Sequence, residues 1–200
     1  MNTSTSTEQT IWGFSLLLAP LCLSISSFFW TGGEYDPTGS TLLVLATVFW
    51  IPAFMGLFRL FQETSPRYAS LGLLVMIYGC ISGSNFGMRG LFATTFGLSH
   101  QTVLTQSASH PLAFNLTLYW AGPLFPLSLI VLGINLIRNR LIPVWVGVLI
   151  SLGGLAFPVS RISRIETLAH VADLLLLIPF GFLGLNVLWN KSVNRVVSRS

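Results

Sequence analysis

Six separate runs of apolar residues, each long enough to cross a bilayer as a helix, leave this chain few ways to fold. They fall at about 11–30, 41–61, 70–92, 111–137, 142–160 and 165–189. Roughly 20 helical residues cross a hydrocarbon core of about 30 Å. Inside hydrocarbon every backbone N–H and C=O must find its partner within the protein, which favours helices for runs of this length. Composition points the same way, with 52% of residues hydrophobic and only 8% charged, against about a quarter charged in an ordinary soluble domain. The expected fold is an all-α integral membrane protein, a six-helix transmembrane bundle over 11–189. Residues 1–10, rich in Ser and Thr, are expected to form a disordered tail, and 190–200 a basic cytoplasmic tail.

Charge sets the expected orientation. Arg59, Arg67, Arg138, Arg140, Lys191, Arg195 and Arg199 fall on one side of the six runs. The other side holds only Arg89, Arg161 and Arg164, together with Glu34 and Asp36 in its first loop. Short loops enriched in Lys and Arg stay in the cytoplasm, so both termini are expected there, in a bacterial or archaeal plasma membrane. The net charge of +4 then follows from topology, and no nucleic-acid partner is implied. Met1 to Thr10 contain no Lys or Arg, so the first run reads as a retained span and not as a cleaved signal. Trp12, Trp30, Trp50, Trp145 and Trp189 fall near span ends, the pattern of an aromatic belt. Cys22 and Cys80 sit mid-span and read as buried thiols.

Two polar stripes interrupt the apolar pattern. On the sixth run Glu166, His170 and Asp173 stand at i, i+4 and i+7, which places them within roughly 60° of arc on one helix face. On the third, Tyr78, Ser82, Asn85 and Arg89 follow the same spacing one turn further. Gly79, Gly83 and Gly87 run beside them, a small-residue face that lets neighbouring backbones approach. Glu166 is expected at the interface and Asp173 about two turns further in. An ionised carboxylate at that depth needs a partner or a water-filled cavity. Arg89 is the expected partner, with Arg161 and Arg164 as rivals that can instead reach the headgroups.

The fourth run adds Asn115 and Tyr119, and its Gly122, Pro123 and Pro126 should bend it. Gly147, Ser151 and Gly154 on the fifth read as a packing face. The connection over 93–110, with His100 and His110, is either a lid over an outer cavity or a plain surface loop.

These residues admit several chemistries. The expected site is a small polar pocket open to the outer face between the third, fourth and sixth helices. Arg89, Asn85, Ser82, Tyr78, Asn115, Tyr119, His170 and Asp173 would bind a small solute, ion or lipid-like ligand there, for binding or transport. An intramembrane enzyme would use His170, Asp173 and Glu166, or pair Ser82 with His170 as nucleophile and base. A metal would draw on Glu166, His170, Asp173 and His110, and zinc would want about four such ligands. Haem between His170 and His110 is a further option. No cofactor is expected in the main reading. A non-catalytic subunit of a larger membrane complex, or a homo-oligomer, would use the stripe as an internal salt-bridge network. Because Lys191 is the only lysine, no Schiff-base chemistry is available inside the bundle. Neither a phosphate-binding glycine loop nor a voltage-sensing arginine ladder is present.

Overall fold

The structure, a computed structural model, describes residues 6–197, with side chains described except those of His100 and 190–197. Six helical stretches are long and apolar enough to cross a membrane: Ser6–Phe29, Pro37–Arg59, Pro66–Thr95, Pro111–Arg138, Val144–Ser163 and Glu166–Trp189. Helix α1 (Ser6–Ser26) ends in one tight turn, Ser27–Phe29, and leads into two short strands, β1 (Trp30–Thr31) and β2 (Glu34–Tyr35). Helices α2 (Pro37–Arg59) and α3 (Pro66–Thr95) follow. A short helix α4 (His100–Ser107) then leads to the fourth span, made of α5 (Pro111–Phe114), a π-helical turn (Asn115–Tyr119) and α6 (Leu124–Arg138). Helices α7 (Val144–Ser163) and α8 (Glu166–Val197) complete the chain.

The spans close into a ring in chain order. α1 packs on α2, α2 on α3, α3 on α6, α6 on α7, α7 on α8, and α8 returns to α1. Aromatic side chains from four helices fill the centre. The Trp50 ring stacks on Phe54 at 5.0 Å and meets the edge of Phe180 at 4.7 Å and of Phe125 at 5.8 Å. Phe125 in turn meets Phe157 at 5.8 Å. Such pairs contribute about 0.5–1.5 kcal/mol each beyond the area they bury. Trp50 and Trp30 therefore do not belong to an interfacial belt: both are buried. Trp120, Trp145 and Trp189 remain exposed.

The glycines of α3 face two neighbours. A Cβ on Gly79 would lie 2.5 Å from the backbone N of Phe125 on α6, and one on Gly87 would lie 2.9 Å from the Ser40 carbonyl of α2. On the far side of the ring, Ser151 Oγ donates to the Gly147 carbonyl at 3.0 Å and to Ile130 O of α6 at 3.3 Å.

Three local features depart from the expected pattern. Helix α1 already holds Ser6–Thr10, where a tail was expected, and residues 1–5 lie outside the described residues. At the other terminus the α8 helix runs on through Val197, and the side chains of Lys191, Arg195 and Arg199 lie outside the description. The fold is also not purely helical. Gly32 and Gly33 take φ +61° and +91°, the left-handed pair that a two-residue hairpin loop demands, and Trp30 pairs with Tyr35 across it.

The close α3–α6 contact yields the first prediction. Gly79→Ala drives a methyl into the Phe125 backbone and should destabilise the bundle by about 1–3 kcal/mol. Gly181→Ala meets nothing within 4 Å and should be neutral or stabilising by up to about 1 kcal/mol. Thermal unfolding of the two purified variants in the same detergent checks this. Equal midpoints would show that the helices do not meet at Gly79.

Candidate functional site

The polar residues of the two stripes form two separate groups. Helices α3 and α8 pack on different neighbours, with the aromatic centre between them. Arg89 and Asp173 consequently do not form the expected pair.

Asp173 pairs with Arg161. Its side chain is 1% exposed and lies 3.5 Å from the Arg161 guanidinium. The same guanidinium nitrogen, Nη2, donates to Ser27 Oγ at 2.8 Å. The guanidinium carbon sits 4.6 Å from the Trp30 ring, 5.1 Å from Phe157 and 5.8 Å from Tyr35. Ring faces carry partial negative charge and attract cations, the more so where water is excluded. This accounts for a guanidinium whose Nε and Nη1 are buried without hydrogen-bond partners. Burial pushes the Tyr35 phenol above its ordinary range, and the Arg161 charge offsets part of that rise. Glu166 Oε1 accepts from Gly32 N at 3.3 Å, so the sixth span also holds the hairpin loop. The third member of that stripe, His170, packs against Phe28 with ring centres 4.5 Å apart and planes tilted by 38°. Among the described residues no three His, Cys, Asp or Glu side chains converge. Glu166, His170, Asp173 and His110 thus do not share a ligand set.

The α3 stripe faces the broken fourth span. Tyr78 OH donates to Leu116 O, Ser82 Oγ to Leu118 O at 2.8 Å, and Asn85 Nδ2 to Thr117 O at 2.9 Å. Three consecutive carbonyls of the π-helical turn are thus met from one neighbouring helix. A π-turn shifts the backbone ladder by one residue, and Gly122 and Pro123 interrupt it again before α6 starts. With Ser82 donating to that backbone and His170 on Phe28, the nucleophile–base pairing is not assembled. Tyr119 OH lies 3.4 Å from Ser107 Oγ and ties the turn to α4. No side-chain hydrogen bond of Asn115 occurs among the described residues; its carbonyl accepts from Trp120 N at 2.8 Å.

Beside this seam lies a cavity of about 650 Å³. Its walls come from α3, α4 and the fourth span, and include Asn85, Arg89, Phe92, His110, Phe114 and Thr117. No residue of α8 lines it, which corrects the expected pocket between the third, fourth and sixth helices. α4 forms its roof, where sequence suggested a lid or a plain loop. Ser99 caps that helix by accepting from Thr102 N at 3.2 Å. Arg89 separates the cavity from a smaller one of about 130 Å³ that reaches Glu34 and Tyr35. Arg89 Nη2 and Glu34 Oε2 are 4.0 Å apart, close enough for Coulombic attraction but too far for a hydrogen bond. The guanidinium also lies 5.5 Å from the Phe86 ring.

Residues that sequence reasoning missed include Ser27, Trp30, Tyr35 and Phe157, all gathered round Arg161. The signal that could have found the hairpin is the Gly32-Gly33 pair between two short β-prone dipeptides. No protein-family model, curated protein or solved structure matches the chain, so geometry alone carries the functional argument.

Removing one partner of a buried ion pair leaves the other uncompensated, at a cost of about 3–5 kcal/mol. Asp173→Leu and Arg161→Met should each lower thermal stability on that scale. The double variant Arg161→Met with Asp173→Leu should recover more than half of the summed loss in a double-mutant cycle. Additive losses would show that the two side chains do not act as a pair.

Proposed function

We propose that this protein is a polytopic membrane protein that binds or translocates a small solute, ion or lipid-like ligand in the α3–α4–α5 cavity. The carrying observation is Arg89 in the wall of that cavity, with its only ion partner among the described residues 4.0 Å away. A guanidinium has five N–H donors. No side-chain hydrogen bond among the described residues uses those of Arg89. A charge of this kind is expensive in a membrane-spanning helix and is by default a mark of function. The ligand chemistry that complements it is an anionic group on an otherwise apolar body. Arg89 anchors the anion, Asn85, Thr117 and His110 add polar contacts, and Met88, Phe92, Val103 and Phe114 supply apolar walls. With Lys and Arg concentrated on the opposite side, the cavity faces the outside of a bacterial or archaeal plasma membrane. Asp173 and His170 are not part of this site.

A second reading has one observation in its favour: the buried carboxylate of Asp173 is engaged in an internal ion pair. On that reading the chain is a non-catalytic subunit of a larger membrane complex, and the cavity has no ligand of its own.

The two readings separate experimentally. Full-length protein in nanodiscs of neutral lipid should bind a radiolabelled amphipathic anion such as decyl phosphate. Arg89→Gln should weaken that binding by about tenfold or more, the effect of losing a hydrogen bond to a charged group. Its unfolding temperature should stay close to that of the parent, because the ion pair removed is long, at 4.0 Å, and its carboxylate is 41% exposed. Equal affinity in a folded Arg89→Gln protein would overturn the binding reading and favour the subunit.

A further inference from the structure

We infer that the ligand of this cavity is a lipid with an anionic phosphate headgroup, which enters sideways from the bilayer through the seam between α3 and the fourth span. The inference rests on the binding reading above and names its ligand class.

Depth is the first support. At 30 residues, α3 is about 45 Å long, whereas the hydrocarbon core is about 30 Å thick. A helix centred in the bilayer thus projects about 7 Å beyond the hydrocarbon at each end. Arg89 lies six residues before the helix end at Thr95, about 9 Å from that end. Its guanidinium therefore stands close to the hydrocarbon boundary, where lipid phosphates begin.

Chemistry is the second. The planar guanidinium fork matches phosphate oxygens two at a time. The cavity offers both kinds of surface that a lipid presents: Gln106, Ser109 and His110 are polar, and Met88, Phe92, Phe114 and Leu118 are apolar. A free inorganic anion would use the first set and leave the second without a partner.

The third support is the seam itself. It is the sparsest contact between consecutive spans in the ring, and α3 is the least buried span. Phe92 is 51% exposed and Leu116 45%, and Thr117 beside them is exposed as well. The flanks of a membrane helix face acyl chains, so a mouth between these residues opens onto lipid.

The test uses the full chain in phosphatidylcholine nanodiscs carrying a trace of photoreactive phosphatidic acid, with adducts mapped by mass spectrometry. Adducts should concentrate on residues 85–92 and 110–118. Unlabelled phosphatidic acid should compete, and diacylglycerol, which lacks the phosphate, should not. Arg89→Gln should reduce the adducts about tenfold, and Thr117→Trp, which plugs the mouth while keeping Arg89, should reduce them as well. Arg138→Gln, at the opposite end, should leave them unchanged. Adducts spread evenly over all lipid-facing helices and indifferent to Arg89→Gln would overturn the inference. Saturable binding of glycerol 3-phosphate without lipid adducts would also overturn it, pointing to a soluble phosphate source while leaving the binding reading intact. If decyl phosphate, glycerol 3-phosphate and phosphatidic acid all fail to bind, both fall together.

Discussion

A carbonyl that a helix cannot use internally must be met by something else once the helix lies in hydrocarbon, and the fourth span is built around that demand. Pro123, Pro126 and Gly122 prevent a continuous α-helix from Pro111 to Arg138, and the chain responds with a π-turn and a second break. Tyr78 and Asn85 of α3 cap Leu116 O and Thr117 O from outside, and Ser82 adds a second donor to Leu118 O, which also accepts from Gly122 N. Their spacing is thus explained by the π-turn opposite them. The same break widens the gap between the two helices at the hairpin end, and the cavity occupies that gap. The break in one helix, hydrogen bonding from the next and the space between them are one physical arrangement.

The second organising contact is the Arg161 guanidinium. It touches the end of α1 through Ser27, the hairpin through Trp30 and Tyr35, its own helix through Phe157, and α8 through Asp173. Apart from the carboxylate, every partner is neutral. Three aromatic faces supply attraction without adding a second charge that would itself need desolvating. The hairpin transmits this anchoring. Neighbouring residues on a strand point to opposite sides, so Tyr35 turns to Arg161 while Glu34 turns to Arg89. Two short strands therefore hold the buried pair on one side and border the smaller cavity on the other.

Much of the architecture was legible because hydrocarbon enforces it. The six spans, the close approach of the α3 glycines and the bend near Pro123 all follow from length, hydropathy and backbone chemistry. Partner choice was not legible. Glu166, His170 and Asp173 do share a helix face, yet they go to Gly32, Phe28 and Arg161 respectively. Periodicity says which way a side chain points along its own helix and nothing about what stands opposite. The order of helices round the ring decides that, and it separates α3 from α8. Arg161 illustrates the point: its place at the end of α7 made reaching out to the headgroups the natural expectation. The tertiary contacts that turn it inward come from a hairpin whose only sequence mark is a pair of glycines. The cavity has the same origin, since its roof, α4, is a short polar helix without the hydropathy signal that revealed the spans.

The two arginines of the hairpin end show what distinguishes an internal staple from a binding group. Arg161 and Arg89 carry the same charge at similar depth, and each has one carboxylate nearby. Arg161 lies 3.5 Å from a carboxylate that is itself 1% exposed, and three rings enclose its remaining surface. Inserting a ligand there would mean leaving the buried Asp173 carboxylate without its partner. Arg89 lies 4.0 Å from a carboxylate that is 41% exposed, with a cavity on either side. The Glu34 carboxylate is not within hydrogen-bond distance of that guanidinium, so the guanidinium can take an anion in the larger cavity without breaking a hydrogen bond to it. A cation held by a tight, dry pair stabilises a fold. One held by a loose, half-wet pair beside empty space is available to a ligand, and of the two only Arg89 meets that condition.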